Sequence, residues 1–301
     1  MKRWSRFTLV LMVILLTVFL QGCNSAPAPQ TLGNEQRMVI RVATDYRMDS
    51  IGYQQLQEFG KRLQEKSQNT IVVKLYSRDE WSKAESFAEY VKLGNLEMAS
   101  LPIADVSRLQ SAYAICEQPY LFANMQAVET YVSGNAGRKA LDILPAPYYG
   151  IGFIPDGYLY LLNNGQLQWV SYGDLKYMGQ TKALTGAAVY DLRAVYALHP
   201  LVTSNEWWDS LSEQRQLWIQ ESFQEALEVS FVQQIDKNPA QSLLSAGVVF
   251  QDSAMPEWNT YSSMYLQQRE TYFAEHSDSL TVHWRPVIME PPLTGEEEPA
   301  Q

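Results

Sequence analysis

The groups able to do chemistry in this 301-residue chain are few and far apart. Its three histidines, His199, His276 and His283, make no metal-ligand spacing. No G-x-S-x-G, glycine-rich phosphate loop or H-E-x-x-H occurs, and the carboxylates are scattered as on a solvated surface. Cys116 lies in an apolar stretch with no nearby histidine to activate it, so it reads as a small core residue. This pattern argues against an enzyme, a metal centre or a bound cofactor. What remains is recognition chemistry. Asp45, Arg47, Glu80 and Trp81 each follow a stretch that reads as a strand. Tyr158 and Tyr160 are two apart, so on a strand they share a face. Arg193 is an isolated cation in YDLRAVY. For each, capping, a surface salt bridge or core packing stands beside ligand contact.

The N-terminus is a targeting signal. Lys2, Arg3 and Arg6 precede an apolar run over residues 7–20, too short to span a membrane comfortably. The run ends Leu20-Gln21-Gly22-Cys23, which looks like a lipobox with Cys23 as the lipidated residue. Residues 1–22 are therefore expected to be a lipoprotein signal peptide and 23–37 a polar tether. Cleavage would leave 20 basic against 33 acidic residues, a net charge of −13. That disfavours nucleic acid and an anionic membrane surface as partners.

Residues 38–44 and 71–76 read as strands, and 51–69 and 84–91 as helices with apolar residues at i, i+3, i+4 and i+7. Gly94 stops the second helix and residues 96–101 form a third strand. The resulting β-α-β-α-β order implies a doubly wound, largely parallel sheet, whose ligand site lies beyond the carboxyl ends of the strands. That places Asp45, Arg47 and Trp81 near a cleft. Residues 124–144 read as one or two helices broken near Gly134 and Gly137, and 150–162 as a long strand. Ser210-x-x-Glu213 reads as a capping box, opening a long helix striped by Ile219, Phe223, Ala226, Leu227 and Phe231. Residues 247–252 read as a late strand, 255–276 as a last helix, and 286–301 as a disordered Pro/Glu-rich tail.

The wording KLGNLEMA, a strand, then CEQPYLF, joined by YGDLK at 172–176 and S-x-x-W-W-x-x-L at 204–211, resembles the solute-binding proteins of TRAP transporters, of the DctP type. The resemblance implies an α/β, two-lobed periplasmic-binding-protein-like fold. Its lobe 1 would cover residues 38–150. Residues 151–285 would supply the crossing strand, a second lobe, and long helices returning to lobe 1, one of them lobe-spanning. In that family a strand following D-L-K-G carries a ligand-binding Arg, and a G-x-R pattern on the crossing strand carries another. Here these positions read Met178-Gly179-Gln180-Thr181 and Gly157-Tyr158-Leu159. Both arginines are missing. About one βαβ unit, roughly 30 residues, also looks absent between Lys176 and Ala183, so the second lobe is expected to be truncated. Arg193 is then the nearby candidate substitute, with Tyr158, Tyr160 and Trp81 as aromatic walls.

The resemblance implies an extracytoplasmic, lipid-anchored protein that captures a small organic-acid solute for TRAP-type membrane permease subunits. Its place would be the periplasm, on the outer membrane if the cell is Gram-negative, since Asn24 rather than Asp follows Cys23. A binding-fold lipoprotein without a transport role, acting through protein contacts, stands as the alternative.

Overall fold

The computed structural model describes residues 37–80, 86–236 and 239–276, omitting side chains of 232–236; all belong to one compact unit, Arg37–Gln301. The expected signal peptide, Cys23, most of the tether, Trp81 and the tail lie outside the described residues.

Strand β1 (Met38–Thr44) pairs in parallel with β2 (Ile71–Tyr76) and β3 (Met98–Ser100). Two helices return the chain between them, α1 (Ile51–Lys66) and α2 (Phe87–Lys92). The Ser50 hydroxyl accepts the Tyr53 N–H to start α1, whose Leu56, Phe59 and Leu63 are buried. Gly94 ends α2 with φ +71°, as its position predicts. Helices α3 (Ile103–Leu109), α4 (Met125–Ser133) and α5 (Asn135–Asp142) follow, the last two breaking at Gly134. Then come β4 (Tyr148–Tyr158), β5 (Tyr160–Asn163), β6 (Leu167–Val170), α6 (Tyr172–Gln180), β7 (Ala188–Tyr190) and β8 (Tyr196–Ser204). The chain ends in α7 (Asn205–Asp209), α8 (Glu213–Asp236), α9 (Pro239–Ser245) and α10 (Pro256–Glu275).

The larger sheet runs β2-β1-β3-β8-β4, with β8 antiparallel to both neighbours; the smaller, antiparallel sheet runs β6-β5-β7. Alternate side chains of the larger sheet enter two different cores. Val42, Met98, Ile154 and Leu201 join α1 and α8, while their neighbours Ala43, Ala99, Phe153 and Val202 join α2 through α5. The smaller sheet does the same. Tyr160 and Leu162 face α6 and α9, and Leu161 faces Tyr265 of α10. Two crossings join the lobes: β4 runs on into β5, and β7 runs back into β8. The Leu159 N–H donates to the Val195 carbonyl at 2.8 Å, so the ladder continues across the junction.

The long-helix stripe is buried as predicted. Ile219, Phe223 and Ala226 enter the α1 core, and Leu227 and Phe231 the opposite one. The ring of Phe223 lies where a Cβ on Gly152 would sit 2.1 Å away, so β4 needs glycine there. Among the described side chains α8 bridges the two cores of the larger lobe.

Some expectations are corrected. Ser212, not Ser210, caps α8: its hydroxyl accepts the Arg215 N–H at 3.4 Å, while the Ser210 hydroxyl donates to the Trp207 carbonyl at 2.6 Å. Residues 178–181 are the end of helix α6 and its cap rather than a strand, because Ser171 starts a helix by accepting the Asp174 N–H. The strand expected at 247–252 is reduced to one bridge, Val189 with Phe250.

Candidate functional site

The carboxyl ends of β1 and β2 open onto the first turns of α6, and this seam between the lobes is built mostly of charged side chains. Gly173 brings α6 close: a Cβ there would lie 3.4 Å from the Cβ of Ser50. Arg78, just past β2, pairs with Asp174 through both guanidinium ends, one contact being Nη1 to Oδ2 at 3.3 Å. Asp174 is held in place because its Oδ2 accepts the Ser171 hydroxyl at 2.9 Å while its own N–H donates back to Ser171. Lys176 Nζ reaches Asp49 Oδ2 at 3.3 Å. Arg47 pairs with Asp79 at 3.2 Å and lays its guanidinium 4.0 Å from the centre of the Tyr177 ring. Asp45 stands half-buried beside this group; burial raises its carboxyl pKa against the opposing pull of Arg78.

Behind the seam lies a buried polar layer. Asp156, on the crossing strand, is 2% exposed. Its Oδ1 accepts the Gly52 N–H at 2.7 Å, in the first turn of α1. Burial pushes this carboxyl up to about 7, against the hydrogen bonds from Gly52, Ser50 and Ile51 that favour its charge. The Tyr46 ring stacks on His199 with centroids 4.4 Å apart, and its hydroxyl donates to the Ile154 carbonyl. His199 keeps part of its surface accessible, but its enclosed ring is held neutral, with the pKa lowered to about 3 by burial.

Asp45 and Arg47, both just past β1, lie at the seam, whereas Tyr158, Tyr160 and Arg193 lie elsewhere. Tyr158 closes β4 against Tyr196, with centroids 4.9 Å apart, whereas Tyr160 opens β5 and packs on Phe250 in the smaller lobe's core. The break between β4 and β5 at Leu159 undoes the expected shared face. Tyr160 is 6% exposed and offers no open wall. Arg193 is 75% exposed and lies 3.8 Å from Asp191, so the substitute anchor predicted for it is instead a surface cation. Sequence reasoning missed Arg78, Asp156 and the seam roles of Asp49, Asp174 and Lys176. The available signals were the place of Arg78 after a strand and the Ser171-x-x-Asp174 capping pattern. Cys116 is buried, as expected. Among the described residues no cluster of His, Cys, Asp or Glu could hold a metal ion, and no helix is long and apolar enough to cross a membrane.

Residues 43–177 match the sequence model of the bacterial extracellular solute-binding proteins, family 7 (DctP). No curated protein matches the chain. Solved structures share the fold at low identity. A TRAP periplasmic solute-binding protein from Desulfovibrio desulfuricans, with bound sn-glycerol-3-phosphate, is 14% identical with a TM-score of 0.70, over 83% of this chain and 99% of that one. One from Shewanella oneidensis, with bound succinate, is 11% identical with a TM-score of 0.68, over 83% and 98%. One from Pseudomonas putida F1, with bound D-glucuronate, is 16% identical with a TM-score of 0.63, over 85% and 99%. Because the alignments span nearly all of those chains, the truncation expected between Lys176 and Ala183 is not evident. The two-sheet architecture with crossing strands and the match over residues 43–177 agree: this part of the chain is similar to the family 7 extracellular solute-binding proteins (DctP), and its fold is that of the TRAP periplasmic solute-binding proteins.

Proposed function

We propose that this protein captures a small organic solute between its lobes, outside the cytoplasm, and delivers it to TRAP-type permease subunits while anchored by lipid at Cys23. The observation that carries the reading is the pair of crossings, β4 into β5 and β7 into β8, which lets two cored lobes hinge about one junction. The seam lies at the carboxyl ends of β1 and β2, where open α/β sheets bind ligands. Residues 1–22 serve as signal and 23–37 as tether in this reading.

The seam also bears on the solute class. Structural neighbours bind succinate, sn-glycerol-3-phosphate and D-glucuronate. In this chain Arg47, Arg78 and Lys176 each already meet a protein carboxylate. A dicarboxylate entering here would have to displace one of these pairs or leave its own charge poorly compensated, which is costly in a closed cleft. The fitting solute is a small hydroxylated acid with one charge or none, held by aromatic and hydroxyl contacts. The same self-paired seam favours a second reading, a lipoprotein on this fold that acts through protein contacts. Calorimetric titration with small organic acids separates the two.

A further inference from the structure

The seam contacts share one geometry. Arg47, Asp49 and Arg78 belong to loops of the larger lobe, and Asp174, Lys176 and Tyr177 to α6, whose Leu175 is buried in the smaller lobe's core. Arg78–Asp174, Asp49–Lys176 and Arg47 on Tyr177 therefore all cross from lobe to lobe. An isolated exposed ion pair contributes little. These three differ in that one rigid helical turn carries all the partners on its side. In addition, Asp174 is pre-oriented by Ser171, and Arg78 and Asp174 are each about one-third exposed. The ordering cost is shared, and hinge opening breaks the set together rather than one pair at a time.

We infer that this seam is an electrostatic latch: the protein's own charges hold the lobes closed, so closure does not need the counter-charge of a bound solute. Binding then requires the latch to release. Raised salt, which screens partly exposed pairs, favours the open form. The inference rests on the two-lobed fold and not on which solute the cleft takes.

The test is an interlobe distance measured without solute. Nitroxides placed through Gln57→Cys on α1 and Thr185→Cys beyond α6 report it by pulsed electron resonance; both positions are exposed, and Cys116 is buried and does not label. The unaltered seam should give one short distance. Arg78→Glu should shift the population toward a longer distance, lowering the closed-to-open ratio about tenfold, and 1 M salt should move the unaltered seam the same way. The charge swap Arg78→Asp with Asp174→Arg should restore the short distance, which a merely misfolded Arg78→Glu would not anticipate. A distance distribution unchanged by both Arg78→Glu and salt overturns the latch, as does a swap that fails to restore closure while unfolding normally. Either result leaves solute binding untouched, because no solute enters the measurement.

Discussion

Asp156→Asn should reverse one pH dependence of stability and expose another. The buried Asp156 carboxyl has its pKa pushed up to about 7, whereas an unfolded aspartate titrates near 3.9. Between those values the folded chain binds a proton that the unfolded chain has lost, so this group's contribution falls as pH rises. Three pKa steps at about 1.4 kcal/mol each place the cost of the charged form above pH 7 on the order of 4 kcal/mol. Asn keeps an oxygen to accept the Gly52 N–H and carries no charge. The variant should therefore match the wild type near pH 4 and exceed it by up to about 4 kcal/mol at pH 8. His199 acts oppositely. Its pKa, lowered to about 3, means the unfolded chain binds the extra proton, so its contribution grows as pH rises toward the unfolded histidine value of about 6.5. In the wild type the two slopes offset one another; Asp156→Asn should remove the opposing slope and uncover the His199 rise. Urea unfolding at pH 4, 6 and 8 measures the difference. A variant less stable than wild type at pH 8, or a gain independent of pH, would refute the placement of a buried carboxyl, only partly compensated by hydrogen bonds, against the start of α1.

Two further outcomes follow from packing and processing. Phe223→Ala should cost about 3–5 kcal/mol in chemical unfolding, because the ring fills the space over Gly152 and meets Phe59 edge-on at 6.0 Å; a loss under about 0.5 kcal/mol would mean α8 is docked by another face. Cys23→Ala should release the protein from the membrane fraction and change its migration, and unchanged fractionation would remove the lipid anchor from the account.

The larger lobe was legible because its signals are local. Apolar strands over 38–44 and 71–76, the Gly94 stop and the stripe from Ile219 to Phe231 each report a period or a stop within a few residues. The cap of α8 was misread by two positions, because Ser210-x-x-Glu213 has the capping spacing while the Ser210 hydroxyl is used to close α7. The shared face of Tyr158 and Tyr160 assumed an unbroken strand, and the break at Leu159 sends the two rings to different cores. The pairings across the seam were not legible. Arg78 and Asp174 are 96 residues apart, and nothing in one sequence pairs two distant charges until the lobes dock. Asp156 was hidden for the same reason, since its partner in α1 lies 104 residues upstream.

Calorimetric titration of the purified mature protein with a panel of small solutes tests the central reading most directly. The panel should contain hydroxylated monocarboxylates, their uncharged analogues, and succinate, malate and fumarate. The account predicts saturable one-to-one binding of at least one singly charged or neutral member, with the dicarboxylates at least tenfold weaker because Arg47, Arg78 and Lys176 are already paired. Micromolar binding of a dicarboxylate, with the monoacids and neutral solutes silent, would contradict it.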